Sequence, residues 1–478
     1  LDTRIATVHS YVFINNPDDV SRELNNHIIK GIIYYSSIYY MSSSNKRTKR
    51  NKTVKNKKIQ GNIDYEKSGW KHITVYGEPY DRGYAHGNLL SEDLKRVLTA
   101  LPFMVDEHFK ITFKKYMDDC DKHIYNIVKK KCPEIYSELR GIVAGARSKG
   151  VVVSLRFLVA WNSFLSMYSL YKDGGSERCS AFIATGEATE KGDIVMAHNT
   201  HSDFLTGQLL NIIMTIKPAK GNVFKMQTSA GFIASSSDWF LCENGIVGCE
   251  TTIAHINFKP HFGLPYFCRI RKIMQYANNL DDCIDIMSKD SAGDYSCSWL
   301  YGNTNDGEIM VHELGKDIHN VKRMNNGVIY GMNSALSFEI RNLETTDTDH
   351  SNLNTSLGSR SHRLEYLLNQ KHYGKINLPI AKEIMADHYD TKENKTHKCS
   401  RGICKHSEVD PEYNYTPYGA TDGKVINSAL SKTLNFHGRF GSSCGRTFSV
   451  TSYVKKHPKH KKWLPVLDDF KPYGWVKL

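Results

Sequence analysis

The run Ser176-Glu-Arg-Cys179-Ser-Ala-Phe182 puts a cysteine at the point where helical periodicity gives way to short β-rich segments. A thiol that opens a strand at such a junction can serve as a nucleophile. If the peptide ahead of it is cut, the cysteine also gains its own α-amine. An α-amine with a pKa of about 7.7–8.0 can take the thiol proton near neutral pH, so no separate His–Asp pair is obligatory. The plainer alternative is a cysteine buried as a small hydrophobe, and position alone does not choose between them. His198 follows nineteen residues later, at the end of a predicted strand. A hairpin would return it beside Cys179, where proton transfer or thiolate stabilisation is the expected role.

The other chemically suggestive groups carry less. Cys399 and Cys404 lie five residues apart, with His406 just beyond and His388 upstream. That spacing is loose, and no second Cys-x-x-Cys pair completes a four-ligand set, so a local disulfide or reduced loop thiols are expected there and no metal. There is no Gly-x-x-x-x-Gly-Lys phosphate loop and no His-Glu-x-x-His helix, which sets aside nucleotide hydrolysis and zinc proteolysis. No cofactor is expected.

The elements that must position Cys179 can be read from periodicity. Leu90, Leu94, Val97, Leu98 and Leu101 draw an apolar stripe along a helix that is expected to be disturbed at Pro102. Ile135, Leu139, Ile142, Val143 and Ala146 repeat the spacing, and the chain reads as helical up to about Tyr168. Beyond Ser176 come β-rich runs at 181–185, 194–197, 210–216, 223–226, 246–249, 309–313 and 328–330, punctuated by Gly, Asn and Asp. Helical character returns at 269–278 and 363–369, so the second part reads as sheets covered by helices.

Of the 478 residues 40% are hydrophobic, including 27 Tyr, 19 Phe and 6 Trp, which is enough apolar surface to exclude disorder as the dominant state. No run of 18 apolar residues occurs, so no membrane span is expected. The net charge of +13 owes eight charges to the block 46–58, where eight of thirteen residues are Lys or Arg; without them it is +5. A second block, 455–462, holds five Lys and two His. Neither block interleaves stacking aromatics, so both read as solvated segments and nucleic acid is not an expected partner. Eleven cysteines, an odd number, leave at least one unpaired within the chain and are too sparse for a disulfide scaffold. Acceptor sequences for N-glycosylation occur at Asn51, Asn354, Asn394 and Asn414. The chain starts at Leu1, so an upstream signal is not visible.

Cys179-Ser-Ala-Phe followed by Met196-Ala-His-Asn-Thr200 resembles the Cys-Ser-Ala-x and His-Asn-Thr-Trp elements of the phospholipase B-like proteins, which belong to the N-terminal-nucleophile hydrolases. In the same order, Glu250-Thr-Thr252-Ile resembles that family's Glu-Thr-Thr strand and Gly419-Ala-Thr-Asp422-Gly-Lys-Val425 its late Asp-x-Lys-Val segment. Upstream, Tyr80-Asp-Arg-Gly-Tyr-Ala-His-Gly87 and Glu138-Leu-Arg-Gly-Ile-Val-Ala-Gly145 are similar to the helical prosegment of autoproteolytic acyltransferases of the penicillin-acyltransferase type. The resemblance runs from about residue 70 to 478.

The resemblance implies an α+β fold, a four-layer αββα sandwich preceded by a helical prosegment. Its domains would be an N-terminal arm and basic linker (1–65), the prosegment or α chain (66–178) and the catalytic β chain (179–478). It implies self-cleavage between Arg178 and Cys179, then acyl transfer to sulfur and hydrolysis. Asn333, in Gly331-Met-Asn-Ser, resembles the asparagine that gives an amide donor to the oxyanion in bile-salt hydrolases; the plainer reading is a turn residue. Thr252 takes the place of a second oxyanion-hole residue. Arg360, in Ser359-Arg-Ser-His-Arg363, resembles the late arginine of these sites, the alternative being a surface arginine at a helix start. The chain departs from the pattern at His201, where the phospholipase B-like proteins have Trp and the bile-salt hydrolases Asp. The absence of that Asp favours the phospholipase B-like branch. The expected activity is hydrolysis of an amide or ester of an acyl or lipid substrate, in a secreted or endolysosomal-type compartment. The rivals are an acyltransferase and a catalytically silent scaffold that binds anionic polymers through 46–58.

Overall fold

In the computed structural model the described residues are 59–171, 179–235, 237–291, 293–411 and 416–478. The basic block 46–58, the acceptor sequences at Asn51 and Asn414, and Arg178 lie outside them.

The structure is α+β and is organised by two sheets. The first has nine strands: β1 (Gly61–Lys67), β2 (Trp70–Gly77), β5 (Ile212–Pro218), β6 (Phe224–Thr228), β7 (Trp239–Cys242), β8 (Ile246–Thr252), β9 (Cys297–Asn303), β10 (Glu308–Leu314) and β11 (His319–Met324), in that spatial order. All of its neighbours are antiparallel except β2 and β5. The second has six antiparallel strands in the order β12 (Gly327–Gly331), β3 (Cys179–Gly186), β4 (Gly192–Asp203), β15 (Tyr418–Asn427), β16 (His437–Phe440) and β17 (Val476–Lys477). A small hairpin, β13 (Tyr389–Asp390) with β14 (Lys395–Thr396), stands apart.

Strands covered on both faces lose the hydrophobic alternation of a solvated sheet. That is why β3 and β8 read as continuous buried runs. One apolar cluster joins the two sheets, with Ala181, Ile183 and Met196 of one against Trp239, Leu241 and Val311 of the other. The opposite face of the nine-stranded sheet (Met214, Phe240, Met310) packs on helical residues such as Leu101 and Leu139. The opposite face of the six-stranded sheet (Phe182, Val195, Val425) packs on Leu364 and Ile384 of the helices Ser356–Tyr366 and Leu378–Met385.

Two details depart from the sequence reading. The boundary at 65 falls inside β1, and the segment read as helical opens with β2, whose pairing with β5 ties it into the large sheet. A strand of mixed composition such as Trp70-Lys-His-Ile-Thr-Val carries no local signal that distinguishes it from a linker. The helix Ser91–Phe109 also runs through Pro102. Proline removes one backbone hydrogen bond, but the buried stripe continues through Met104 and Val105 and holds the helix to the core.

The two glycine-bearing motifs upstream are a packing device. The helix Pro79–Leu89 crosses Pro133–Ser148 so closely that a Cβ on Gly83 would lie 2.0 Å from the Glu138 carbonyl oxygen, and one on Gly145 2.0 Å from that of Tyr84. Arg82 seals the crossing with Nε 2.6 Å from Glu138 Oε2, and Arg271 shares that carboxylate at 2.9 Å. The two guanidinium groups hold Glu138 below its usual range, although burial pulls the other way.

Candidate active site

Cys179 opens β3, which lies between the edge strand β12 and β4 in the six-stranded sheet. Register pairs it with Thr200 on β4, and Ala181 with His198. On the other side of β4, Asp422 pairs with Thr200 and Lys424 with His198, past an irregularity at 420–422. Directly paired residues share a face, and so do residues two apart. Cys179, Thr200, His198, Asp422 and Lys424 therefore all face the nine-stranded sheet.

The backbone of Cys179 is held by two distant residues. Its N–H donates to Asn333 Oδ1 at 3.1 Å, and its carbonyl accepts from Arg360 Nη1 at 2.7 Å. The same Nη1 lies 3.0 Å from Ser180 Oγ, while Nη2 donates to Asn333 Oδ1 at 3.1 Å. Asn333 Nδ2 donates to the Thr252 carbonyl at 3.0 Å, which fixes the orientation of the amide. Asn333 follows β12 with φ of 80°, a left-handed conformation that asparagine tolerates better than most residues. Arg360, fully buried, sits in the helix Ser356–Tyr366 with its Nε on Ser356.

The thiol lines a cavity of about 30 Å³ with Thr200, Asp238, Trp161, Phe164 and Phe232. That space admits a water molecule and is too small for an acyl chain. Trp161 and Phe164 come from the helical part of the chain, so residues ahead of position 179 roof the sulfur. Burial pushes the thiol well above its ordinary pKa; the carboxylates of Asp238 and Glu250 push the same way, against the His201 backbone N–H on the sulfur and the Lys424 charge. Lys424 is itself fully buried and ion-paired with Asp422 at 2.8 Å, with Nζ also on Thr200 Oγ1 at 2.8 Å. Gln227 Nε2 completes the Asp422 carboxylate at 2.9 Å.

Cys179, Asn333 and Arg360 thus come together as one hydrogen-bonded group. Thr252 joins it through its carbonyl, and its hydroxyl meets that of Tyr295. His198 shares the face but makes no hydrogen bond to Cys179: its Nε2 donates to the Glu250 carbonyl at 2.8 Å, and its Nδ1 has no partner. Burial first, then Lys424, holds its pKa well below the usual value, so the ring is neutral. His201 turns away, with Nε2 3.0 Å from the Ile403 carbonyl. The sequence reading passed over Lys424 and Asp238 as individual groups. Lys424 lay inside a quoted motif, but nothing local marks a lysine as buried. Asp238, at φ of 60°, carries no signal.

All eleven cysteines are free thiols. The loop thiols expected around Cys399 and Cys404 are present as such, but Cys404 also meets His388, His406 and Cys444 in a cluster whose donor atoms lie within 4.8 Å of one another. A second group, Asp390, His397 and Cys399, is occupied by Arg401, which pairs with Asp390 at 2.8 Å.

No protein-family model and no curated protein matches the chain. Among solved structures, a mutant of conjugated bile acid hydrolase from Clostridium perfringens is similar over 55% of this chain and 89% of that chain, at 9% identity and a TM-score of 0.31. Another variant of the same protein is similar over 55% and 81%, at 9% identity and a TM-score of 0.25. No helix among the described residues is long and apolar enough to cross a membrane.

Proposed function

We propose that the chain is the precursor of a cysteine N-terminal-nucleophile hydrolase of the phospholipase B-like type, with the four-layer αββα architecture of that class. The observation that carries this reading is the grip on Cys179: Asn333 holds its backbone nitrogen, Arg360 its carbonyl oxygen, and Arg360 also steadies Asn333. Beyond the end of β12, two side chains from 154 and 181 residues away hold the peptide groups of Cys179, which fixes the nitrogen that the cut would turn into an amine. The three apolar clusters, one between the sheets and one outside each, support the layer order.

In this reading the Cys179 sulfur attacks the carbonyl carbon of residue 178, and the carbon–nitrogen bond breaks as the nitrogen takes a proton to become the α-amine. Water then hydrolyses the thioester and restores the thiol. The new amine stays on Asn333 Oδ1 and accepts the thiol proton when an acyl substrate is attacked. The second N–H of the Asn333 amide serves the oxyanion, Lys424 favours the thiolate, and His198 acts as a neutral positioning residue beneath the strand. The substrate is an amide or ester of an acyl or lipid group, with access following the cut, since the uncut cavity admits only water.

N-terminal sequencing of the matured protein tests the reading: a new terminus at Cys179, with fragments of about 178 and 300 residues, is expected. Incubation across acidic and neutral pH and limited proteolysis cover the routes to maturation. A protein that under none of them yields a terminus at 179 or releases acyl groups refutes the proposal. Competition between water and added amines for the acyl group separates hydrolase from acyltransferase. The remaining rival, a silent scaffold, predicts salt-sensitive heparin retention that is lost when 46–58 is deleted.

A further inference from the structure

On the outer side of the six-stranded sheet, four side chains from three stretches of chain point their metal-ligating atoms at one another. His388 precedes the β13–β14 hairpin, Cys404 and His406 lie in the loop after it, and Cys444 lies in the turn after β16. His406 Nε2 is 3.1 Å from His388 Nε2, 3.5 Å from Cys404 Sγ and 3.4 Å from Cys444 Sγ. A tetrahedral zinc with Zn–S of about 2.3 Å and Zn–N of about 2.0–2.1 Å requires ligand separations of about 3.3 Å for N···N and about 3.6 Å for N···S. The observed edges match that figure closely.

The surroundings fit as well. The far nitrogen of His406, Nδ1, meets Glu408 Oε1 at 2.9 Å, the carboxylate–histidine arrangement that orients an imidazole toward a metal. Arg446 Nε holds the same oxygen at 3.3 Å. The backbone is tied on both sides, with the Cys404 N–H on the Asp387 carbonyl and the His406 N–H on that of Cys399. Cys404 and His406 are buried, while His388 and Cys444 are half-buried, which leaves an entry path.

We propose that His388, Cys404, His406 and Cys444 bind one Zn²⁺ in a closed Cys₂His₂ site. Two thiol protons leave as the two sulfurs bind. With four protein ligands and no open position the site is structural: it pins the loop carrying Ile403, whose carbonyl receives His201 and Asn199, to the turn at Cys444. The proposal is independent of the chemistry assigned to Cys179.

The test is elemental analysis of the full chain purified from zinc-supplied cells, with cobalt exchange as the spectroscopic readout. The expected results are one zinc per chain and, with Co²⁺, thiolate charge-transfer and tetrahedral d–d bands. Cys444→Ser and His388→Ala should each lose the metal. If either fails to fold, Glu408→Gln keeps all four ligands and should weaken zinc affinity about 10- to 100-fold. A folded chain that binds no zinc from one added equivalent, with Cys404 and Cys444 alkylated equally fast with and without Zn²⁺, would overturn the proposal. So would a Cys404–Cys444 disulfide in zinc-supplied protein.

Discussion

Two clusters that each contain cysteine and histidine lie on opposite faces of one sheet and are built in opposite ways. Around Cys179 the polar side chains reach for the backbone: Asn333 and Arg360 hold its peptide groups, and His198 is spent on the Glu250 carbonyl. The sulfur takes the His201 backbone N–H and lines a small cavity. Around Cys404 the side chains reach for each other, two imidazoles and two thiols with their donor atoms within 4.8 Å, and one backbone N–H, that of Cys444, also meets the Cys404 sulfur. A positioned sulfur can attack a carbon, whereas converging Lewis bases call for a cation. What separates the two is the direction of the lone pairs.

The largest expected effect separates the clusters outright. Cys179→Ala should abolish both cleavage at 178–179 and acyl hydrolysis, with zinc content unchanged, as read by electrophoresis, turnover and metal analysis on one preparation. Retained activity would move the chemistry away from β3. Next comes Lys424→Met, which leaves the Asp422 carboxylate buried beside a missing partner. Breaking one side of a buried ion pair costs about 3–5 kcal/mol, so the urea midpoint should fall sharply. A small loss would show that neither the ion pair within β15 nor the Lys424 contact to Thr200 on β4 contributes much to stability.

Asn333→Ala sharpens the contrast on the kinetic side. If its amide serves the oxyanion, the rate should drop about 10²- to 10³-fold in turnover of matured protein. A change in substrate affinity alone, with turnover intact, would make Asn333 a strut for Cys179 and nothing more.

Legibility in the sequence followed sequence distance. The hairpin of β3 and β4 is local, and its apolar runs with the Gly192 turn region place Cys179 and His198 on neighbouring strands. Asn333 and Arg360 became visible only through family resemblance, because nothing in 331–334 or 359–363 announces that both reach a cysteine over 150 residues upstream. Cys444 was invisible: thirty-eight residues separate it from His406, outside any ligand-spacing rule, so the same loop read as incomplete until the turn after β16 was placed beside it. Strands β7 and β9 went unread as well. Both are buried on two faces and carry Trp, Leu and Cys without alternation, so tertiary context decides their conformation.

Acid should unfold the protein by a route with a definite sign. His198 and His201 are buried and held well below their ordinary pKa, first by burial and then by Lys424 and Arg360 respectively. His86, buried behind the Arg82–Glu138 crossing, is lowered to about 4. In the unfolded chain each titrates at about 6.5, so between that pH and about 4 the unfolded state takes up protons that the folded state refuses. Stability is complete above about 6.5 and falls as pH drops, by about 1.4 kcal/mol per pH unit for each such histidine. Urea midpoints at pH 7.5 and pH 5.5 measure the slope. Because zinc ligation, as proposed, would also depend on protons, the slope is compared in Cys444→Ser, which is expected to lose the metal. A His198→Gln substitution in that background should remove one histidine's share while keeping an amide donor for the Glu250 carbonyl. If the slope is unchanged, His198 titrates in the fold as it does in the unfolded chain, and burial and Lys424 do not lower it.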